Sequence, residues 1–403
     1  MMPAGGSRVL SLTVGFDVGG AEQLILATAP RLKARGFDVR AAALRGPGPM
    51  MTELEAAGIP CTALGAASRF DARVLFALAG LLKRERVDIL HTHMFLANVA
   101  GRIAGRLARV PVIVSAHHDT DVWMRPHHRL IERLSARLAD RVTACSDPVR
   151  DWAVRRIGLP EESVLTLRNA IAPPAPVGAG ERHAARAGLG LAPDDLAVGT
   201  LGRLFEPKKG LAVFLAAAPR IAAAEPRARF VIAGDGPARR ALEARAAAAG
   251  LAGQVRFAGE RRDINRLLAA YDLFVQPSLW EGFGLTVIEA MAMERPVVAT
   301  AVGGLPALVR GGALGRLVPP GDAAALAAAV IDLLGDPERR AALGRAGRAW
   351  ALSEFDIDRL VVETAGLYRE LLERRARRPA GGAGGSGGAR AGEPAGSSRR
   401  RAA

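Results

Sequence analysis

An alternation of strands and helices that runs twice is the feature that most restricts this chain. Short β-branched runs fall at Val9–Val14, Val39–Leu44, Asp88–His91, Val110–Val114 and Arg141–Ala144. Helical patterns fill the intervals, among them Ala21–Ala34, Phe70–Arg84 and Leu96–Leu107. The pattern breaks at 172–180 (APPAPVGAG) and then restarts. Strands are expected at Leu196–Leu201, Arg229–Ala233, Val255–Ala258, Leu273–Gln276, Pro296–Thr300 and Arg316–Val318. Helices are expected at Leu211–Ala223, Arg239–Ala249, Leu285–Met293 and Ala323–Leu334. Alternation at this spacing calls for a parallel sheet with helices on both faces. With 403 residues the chain accommodates two such cores. The expected fold is therefore α/β, two Rossmann-like α/β/α domains facing a central cleft, with the carboxyl ends of the strands turned toward it.

The expected domains are 1–172 and 193–355, joined by a linker at 173–192. An amphipathic helix at 356–377 is expected to pack back on the first domain, and a basic tail at 378–403 is too rich in Gly, Ala, Ser and Arg to form a core. The formal net charge is +15; from Arg374 onward eight arginines stand against one glutamate, which leaves the body about +8. A body of that sign favours phosphates and anionic surfaces. Aromatic residues are only 4%, which argues against a platform for stacking single-stranded nucleic acid, and no nucleic-acid motif appears. Cys61 and Cys145 make neither a disulfide framework nor zinc spacing, and read as reduced core thiols. Met1–Ser7 shows no signal-peptide pattern and no apolar run reaches 18 residues, so a cytoplasmic protein is expected. The segment Phe70–Arg86 pairs an apolar face with basic residues; it reads either as a core helix or as a peripheral contact with the inner face of an anionic membrane.

Three segments can carry chemistry. Ser278–Met291 (SLWEGFGLTVIEAM) places Gly282 and Gly284 between a strand and a helix, so that free N–H groups and the positive helix end can meet a diphosphate. Glu281 and Glu289 flank that turn with seven residues between them and can accept hydrogen bonds from sugar or ribose hydroxyls; the plain alternative is a joint with two solvated glutamates. Gly202–Gly210 (GRLFEPKKG) follows a strand, and its Arg203 and Lys209 can clamp a diphosphate, or can be ordinary surface cations. Val18–Glu22 (VGGAE) permits close backbone approach through Gly20, although it is not a dinucleotide fingerprint. Four of the seven histidines, His91, His93, His117 and His118, stand at expected strand ends, and His127 and His128 look like a solvated helix start. No HExxH helix or carboxylate spacing completes a metal set.

Together these segments resemble the retaining GT-B glycosyltransferases of the large family 4. EGFGLTVIEAM is similar to the family's E-x7-E signature, GRLFEPKKG to its phosphate-clamp loop, and VGGAE to its N-terminal glycine loop. Asn169, Gly234–Pro237 (GDGP) and Gly303–Gly304 also fall where the family has them, and the resemblance spans about residues 8–375. It implies that Glu281 holds the donor sugar's hydroxyls, Glu289 the ribose, and Arg203 and Lys209 the diphosphate. It implies further that the backbone of Phe283, Gly284 and Leu285 meets sugar and phosphate, with Gly20 approaching from the acceptor-side domain. His118, or else His117, would stand beside the reaction centre, and Lys208 competes with Lys209 for the clamp. One departure is Ala307, where the family often has Glu. The implied activity is transfer of a sugar from a UDP- or GDP-sugar to an acceptor (glycan, lipid-linked or small molecule) with retention, in cell-surface polysaccharide or glycolipid synthesis, without a required cofactor or metal. A nucleotide-sugar epimerase on the same fold and a non-catalytic basic binding protein are the competing readings. Alanine at Glu281 or Lys209 is expected to abolish transfer with the fold intact.

Overall fold

The computed structural model describes residues 6–68 and 71–377. The basic tail at 378–403, and Phe70 of the apolar–basic segment, lie outside the described residues. The first sheet contains β1 (Arg8–Thr13), β2 (Asp38–Ala43), β3 (Cys61–Ala63), β4 (Ile89–His93), β5 (Val112–His117), β6 (Arg141–Ala144) and β7 (Val164–Thr166). All its pairings are parallel, in the order β3-β2-β1-β4-β5-β6-β7. The second contains β8 (Leu196–Leu201), β9 (Ala228–Ala233), β10 (Val255–Gly259), β11 (Leu273–Gln276), β12 (Val297–Thr300) and β13 (Arg316–Val318). It too is wholly parallel, in the order β10-β9-β8-β11-β12-β13. Both orders reverse beside the first strand of the domain, between β1 and β4 and between β8 and β11. Such a reversal parts the flanking loops and opens a crevice at the carboxyl ends of the strands. The strands read as apolar runs because helices cover both faces, leaving Val9, Leu10, Leu12, Val231, Ile232 and Val275 essentially without exposure.

The chain crosses between the domains twice, and the crossings are tied together. The Ile171 N–H donates to the Phe355 carbonyl at 2.9 Å, and the Ile357 N–H to the Ile171 carbonyl at 3.0 Å. Beyond that tie, the helix Ile357–Arg377 buries Ile357, Leu360, Val361, Leu367, Tyr368 and Leu371. These side chains join the first domain's core with Val9, Ile25 and Phe37, and Tyr368 meets Phe37 edge-on with ring centroids 5.6 Å apart.

Several elements differ from expectation. β4 and β5 run on to His93 and His117, so these histidines lie within strands rather than after them. The segment read as a linker contains the helix Ala179–Gly188. It has little apolar surface and is fastened by charge, with Arg182 and Arg186 reaching Asp272 at 2.9 and 3.0 Å. The helix expected from Phe70 begins at Arg73 and buries Val74, Leu78, Leu81 and Leu82, so its apolar face belongs to the core. The helix Pro126–Ala136 is unusual in burying Glu132 and Ser135.

Candidate active site

The site forms where β8, β11 and the first domain meet. After β8 the loop turns back so that the Glu206 carboxylate accepts from the N–H groups of Leu211 and of Ala212 (3.1 Å for the latter) at the start of the helix Leu211–Ala224. Capping by Glu206 leaves the loop's two lysines facing the cleft, and the Leu279 N–H, donating to the Lys208 carbonyl at 2.8 Å, joins this loop to the one after β11. Lys209 Nζ then lies 2.8 Å from Glu281 Oε2. The same carboxylate oxygen accepts from Ser278 Oγ at 3.2 Å and from Gln276 Nε2 at 3.3 Å. Burial pushes the Glu281 carboxyl up, but Lys209 and Lys208 outweigh it and hold the pKa below its ordinary value. Arg203 is exposed and has no ion-pair partner among the described residues, and it lines a small hollow with Gly202, Lys209 and Gln276.

The turn at 281–284 supplies the donors. Gly284 has φ +106°, a left-handed conformation that a side chain disfavours, and it starts the helix Leu285–Ala292. The N–H groups of Phe283, Gly284 and Leu285 have no acceptor among the described residues. Across the cleft, the helix Gly20–Ala34 begins so close that a Cβ on Gly20 would stand 3.3 Å from Leu285 Cδ1. Two positive helix ends thus face each other over one space, an arrangement that attracts an anion. Glu289, one turn into the second helix, is half-buried, and burial raises its pKa to about 7.

The first domain closes against this turn. A methyl on Gly282 would overlap the His118 carbonyl oxygen and lie 2.7 Å from Asp119 Cα. Ser146 Oγ donates to the Gly282 carbonyl at 2.6 Å. Lys208 pairs with Asp119, and farther out Arg262 pairs with Glu53, so ion pairs bridge the domains at two places. The two lysines therefore part company: Lys209 reaches Glu281 and Lys208 reaches across the cleft.

The adjacent histidines part in the same way. His117 Nε2 lies 3.0 Å from Glu132 Oε1, and Glu132 lies 2.7 Å from the fully buried Arg102, so His117 is built into the first domain's interior. His118 stands at Gly282 and shares a 2.9 Å hydrogen bond between its Nε2 and His93 Nδ1. The His93 ring lies against His91, tilted by 35° with ring centroids 4.4 Å apart, and His91 Nδ1 meets Tyr368 Oη at 2.6 Å. Burial lowers the pKa of all three, to about 3 for His91 and about 4 for His118, so these imidazoles are neutral at physiological pH. Asn169 is buried beside them, its side chain lining the same cavity as His91, His93 and His118. Among the described residues no group of three or more His, Cys, Asp or Glu side chains is placed to hold a metal ion. Sequence reasoning did not single out Gln276, Ser146 or Asp119 for these contacts; only Asp119, next to the doubled histidine, carried any local signal.

Two Rossmann-like domains whose strand ends face one cleft define the GT-B architecture. The comparisons with known proteins agree. Residues 18–173 match the family described as Glycosyltransferase Family 4, and residues 195–336 match glycosyl transferases group 1. The chain is 31% identical over 358 residues to the 2-deoxystreptamine N-acetyl-D-glucosaminyltransferase of Streptomyces fradiae, covering 83% of this chain and 84% of that protein. It is 30% identical over 346 residues to the phosphatidyl-myo-inositol mannosyltransferase of Mycolicibacterium smegmatis, covering 81% and 84%. The crystal structure of Anabaena HepE in complex with UDP and glucose superposes with a TM-score of 0.81 at 25% identity, covering 90% of this chain and 99% of that one. Sucrose-phosphate synthase from Thermosynechococcus elongatus shares the fold, with a TM-score of 0.77 at 23% identity over 91% and 100% of the two chains. The chain belongs to the group 1 glycosyltransferases.

Proposed function

We propose that the chain takes a sugar from a nucleoside diphosphate sugar and transfers it to an acceptor hydroxyl with retention of anomeric configuration. The observation that carries this reading is the convergence of Lys209, Glu281 and the unpaired N–H groups of Phe283, Gly284 and Leu285 on one space facing His118. Arg203 and Lys209 hold the diphosphate, Arg203 as a planar fork and Lys209 as a point charge. Glu281 accepts hydrogen bonds from the donor sugar, and Glu289 from the ribose. As the bond from C1 to the diphosphate oxygen breaks, negative charge gathers on the leaving phosphate, and the two cations and the helix ends stabilise it. The acceptor oxygen bonds to C1 on the same face, and its proton passes to the leaving phosphate. His118, neutral and fixed by His93, presents its ring to the reacting sugar from the other domain. The positive charge comes from side chains and backbone, and the proposed reaction uses no metal ion or cofactor.

HepE, 25% identical, was crystallised with UDP and with UDP-glucose, which supports a uridine or other nucleoside diphosphate donor. The names of the relatives span a small aminated acceptor and a lipid one; both fit a role in glycolipid, cell-surface polysaccharide or small-molecule glycosylation inside the cell. The test is incubation with a panel of UDP-, GDP- and ADP-sugars, scoring slow release of free sugar and its initial anomer by NMR. Hydrolysis of one donor class with the donor's anomeric configuration kept is expected. Absence of hydrolysis and of nucleotide binding across the whole panel would overturn the assignment.

A further inference from the structure

The helix Pro126–Ala136 is inverted relative to an ordinary surface helix. Glu132 and Ser135 point inward because the fully buried Arg102 requires partners there: Glu132 at 2.7 Å and Ser135 Oγ at 3.0 Å. Held by that polar network, the helix turns its apolar residues outward. Leu130 is 47% exposed, Ile131 45% and Leu134 47%, and the loop before the helix adds Val122 at 54% and Trp123 at 50%. Half of the large hydrophobic residues exposed among the described residues thus lie in one stretch of 13 positions, from Val122 to Leu134. Scattered apolar side chains are normal on a surface, but a continuous group is not. Arg125, Arg129, Arg133 and Arg137, spaced four residues apart, run along one flank of this helix, and none has an ion-pair partner among the described residues. Apolar side chains at i, i+1 and i+4 flanked by a stripe of guanidinium groups without ion-pair partners match one environment closely. Leucine and isoleucine enter the acyl boundary, tryptophan settles at headgroup level, and arginines reach the phosphates.

We propose that this surface docks the protein on a bilayer containing anionic phospholipid. The loop that carries Val122 and Trp123 begins at His118 and Asp119, so docking sets the first-domain side of the cleft beside the lipid headgroups. A lipid-borne acceptor would reach the site from there. Docking of this kind is a matter of binding alone and is independent of the donor chemistry above.

The test is flotation of the full chain with vesicles of phosphatidylcholine alone or with a quarter phosphatidylglycerol. Wild type is expected to float with the anionic vesicles only. Leu130→Gln/Leu134→Gln, which leaves every charge in place including those of 378–403, is expected to weaken vesicle binding about tenfold. Arg125→Gln/Arg133→Gln/Arg137→Gln should lose the preference for anionic lipid. Unchanged thermal unfolding of both variants shows that the fold is kept. Equal flotation of the leucine variant and wild type overturns the proposal. So does a concentration-dependent dimer abolished by the leucine substitutions without any vesicle binding, which would assign the surface to a second copy of the chain.

Discussion

Replacing Lys209 with methionine keeps the length of the side chain and removes the charge that faces Glu281. The Glu281 carboxylate is 10% exposed and Lys209 Nζ lies 2.8 Å away. Removing one member of a buried ion pair typically costs about 3–5 kcal/mol, since the other charge is left without compensation. Here Ser278 and Gln276 remain as donors, at 3.2 and 3.3 Å, and Lys208 contributes at longer range although it is engaged with Asp119. Those contacts reduce the expected loss at neutral pH to about 2–3 kcal/mol. The pH dependence gives the sharper signature. In the wild type the folded Glu281 pKa lies below its ordinary 4.5, so the group contributes stability above that value and loses it as pH falls through the folded pKa. In Lys209→Met burial dominates, the folded pKa rises above 4.5, and stability falls as pH climbs through the interval between the two. The stability gap between the proteins should therefore widen from pH 4 to pH 7.5 in urea titrations of the ligand-free chain. Adding Glu281→Gln to Lys209→Met should close most of the gap. A gap that does not change with pH, or a double variant as unstable as the single one, would refute the pairing. Loss of transfer in a lysine variant thus has to be read beside its stability, whereas the sequence alone implied an intact fold.

Glu289 carries the opposite sign. Burial lifts its folded pKa to about 7, so it costs stability as pH rises from 4.5 through 7, and Glu289→Gln should stabilise the empty protein at pH 8 by about 1 kcal/mol, the full shift being discounted for partial exposure, while weakening nucleotide binding; an empty protein no more stable than wild type at pH 8 contradicts this. Gly282→Ala should hold the domains apart, since its methyl would overlap the His118 carbonyl, and small-angle scattering should show a larger radius of gyration together with at least a roughly tenfold loss of transfer. Arg203→Ala should leave thermal unfolding unchanged, because the side chain is exposed and unpaired among the described residues, yet weaken UDP or GDP affinity about tenfold in calorimetry.

The domains could be read from the sequence because strands buried on both faces leave short apolar runs. Leu196–Leu201, Leu273–Gln276 and Arg141–Ala144 have the expected bounds. Elements whose anchors are polar were legible in part at most. Ala179–Gly188 is held by Arg182 and Arg186 on Asp272 and carries no large apolar side chain, so it lacks the apolar period that identifies a helix. Pro126–Ala136 showed its start at His127 and His128, but its apolar residues Leu130, Ile131 and Leu134 face outward, so the burial of Glu132 and Ser135 against Arg102 was not legible. β3 and β7 are three-residue strands with too little pattern to register. Adjacent like residues posed a different limit. Lys208 and Lys209, or His117 and His118, differ only in what lies opposite them after folding: Asp119 or Glu281, Glu132 or His93. The glycine spacing of the turn was legible, but that Gly282 serves the close approach of the first domain was not.

A structure of the protein with a bound nucleoside diphosphate is the most direct check on whether one anion site is assembled from these distant segments. The pyrophosphate is expected within hydrogen-bond distance of Arg203, Lys209 and the N–H groups of Phe283, Gly284 and Leu285, with Glu289 at the ribose. A nucleotide seated elsewhere, with Lys209 still paired to Glu281 and the turn at 283–285 untouched, would contradict it.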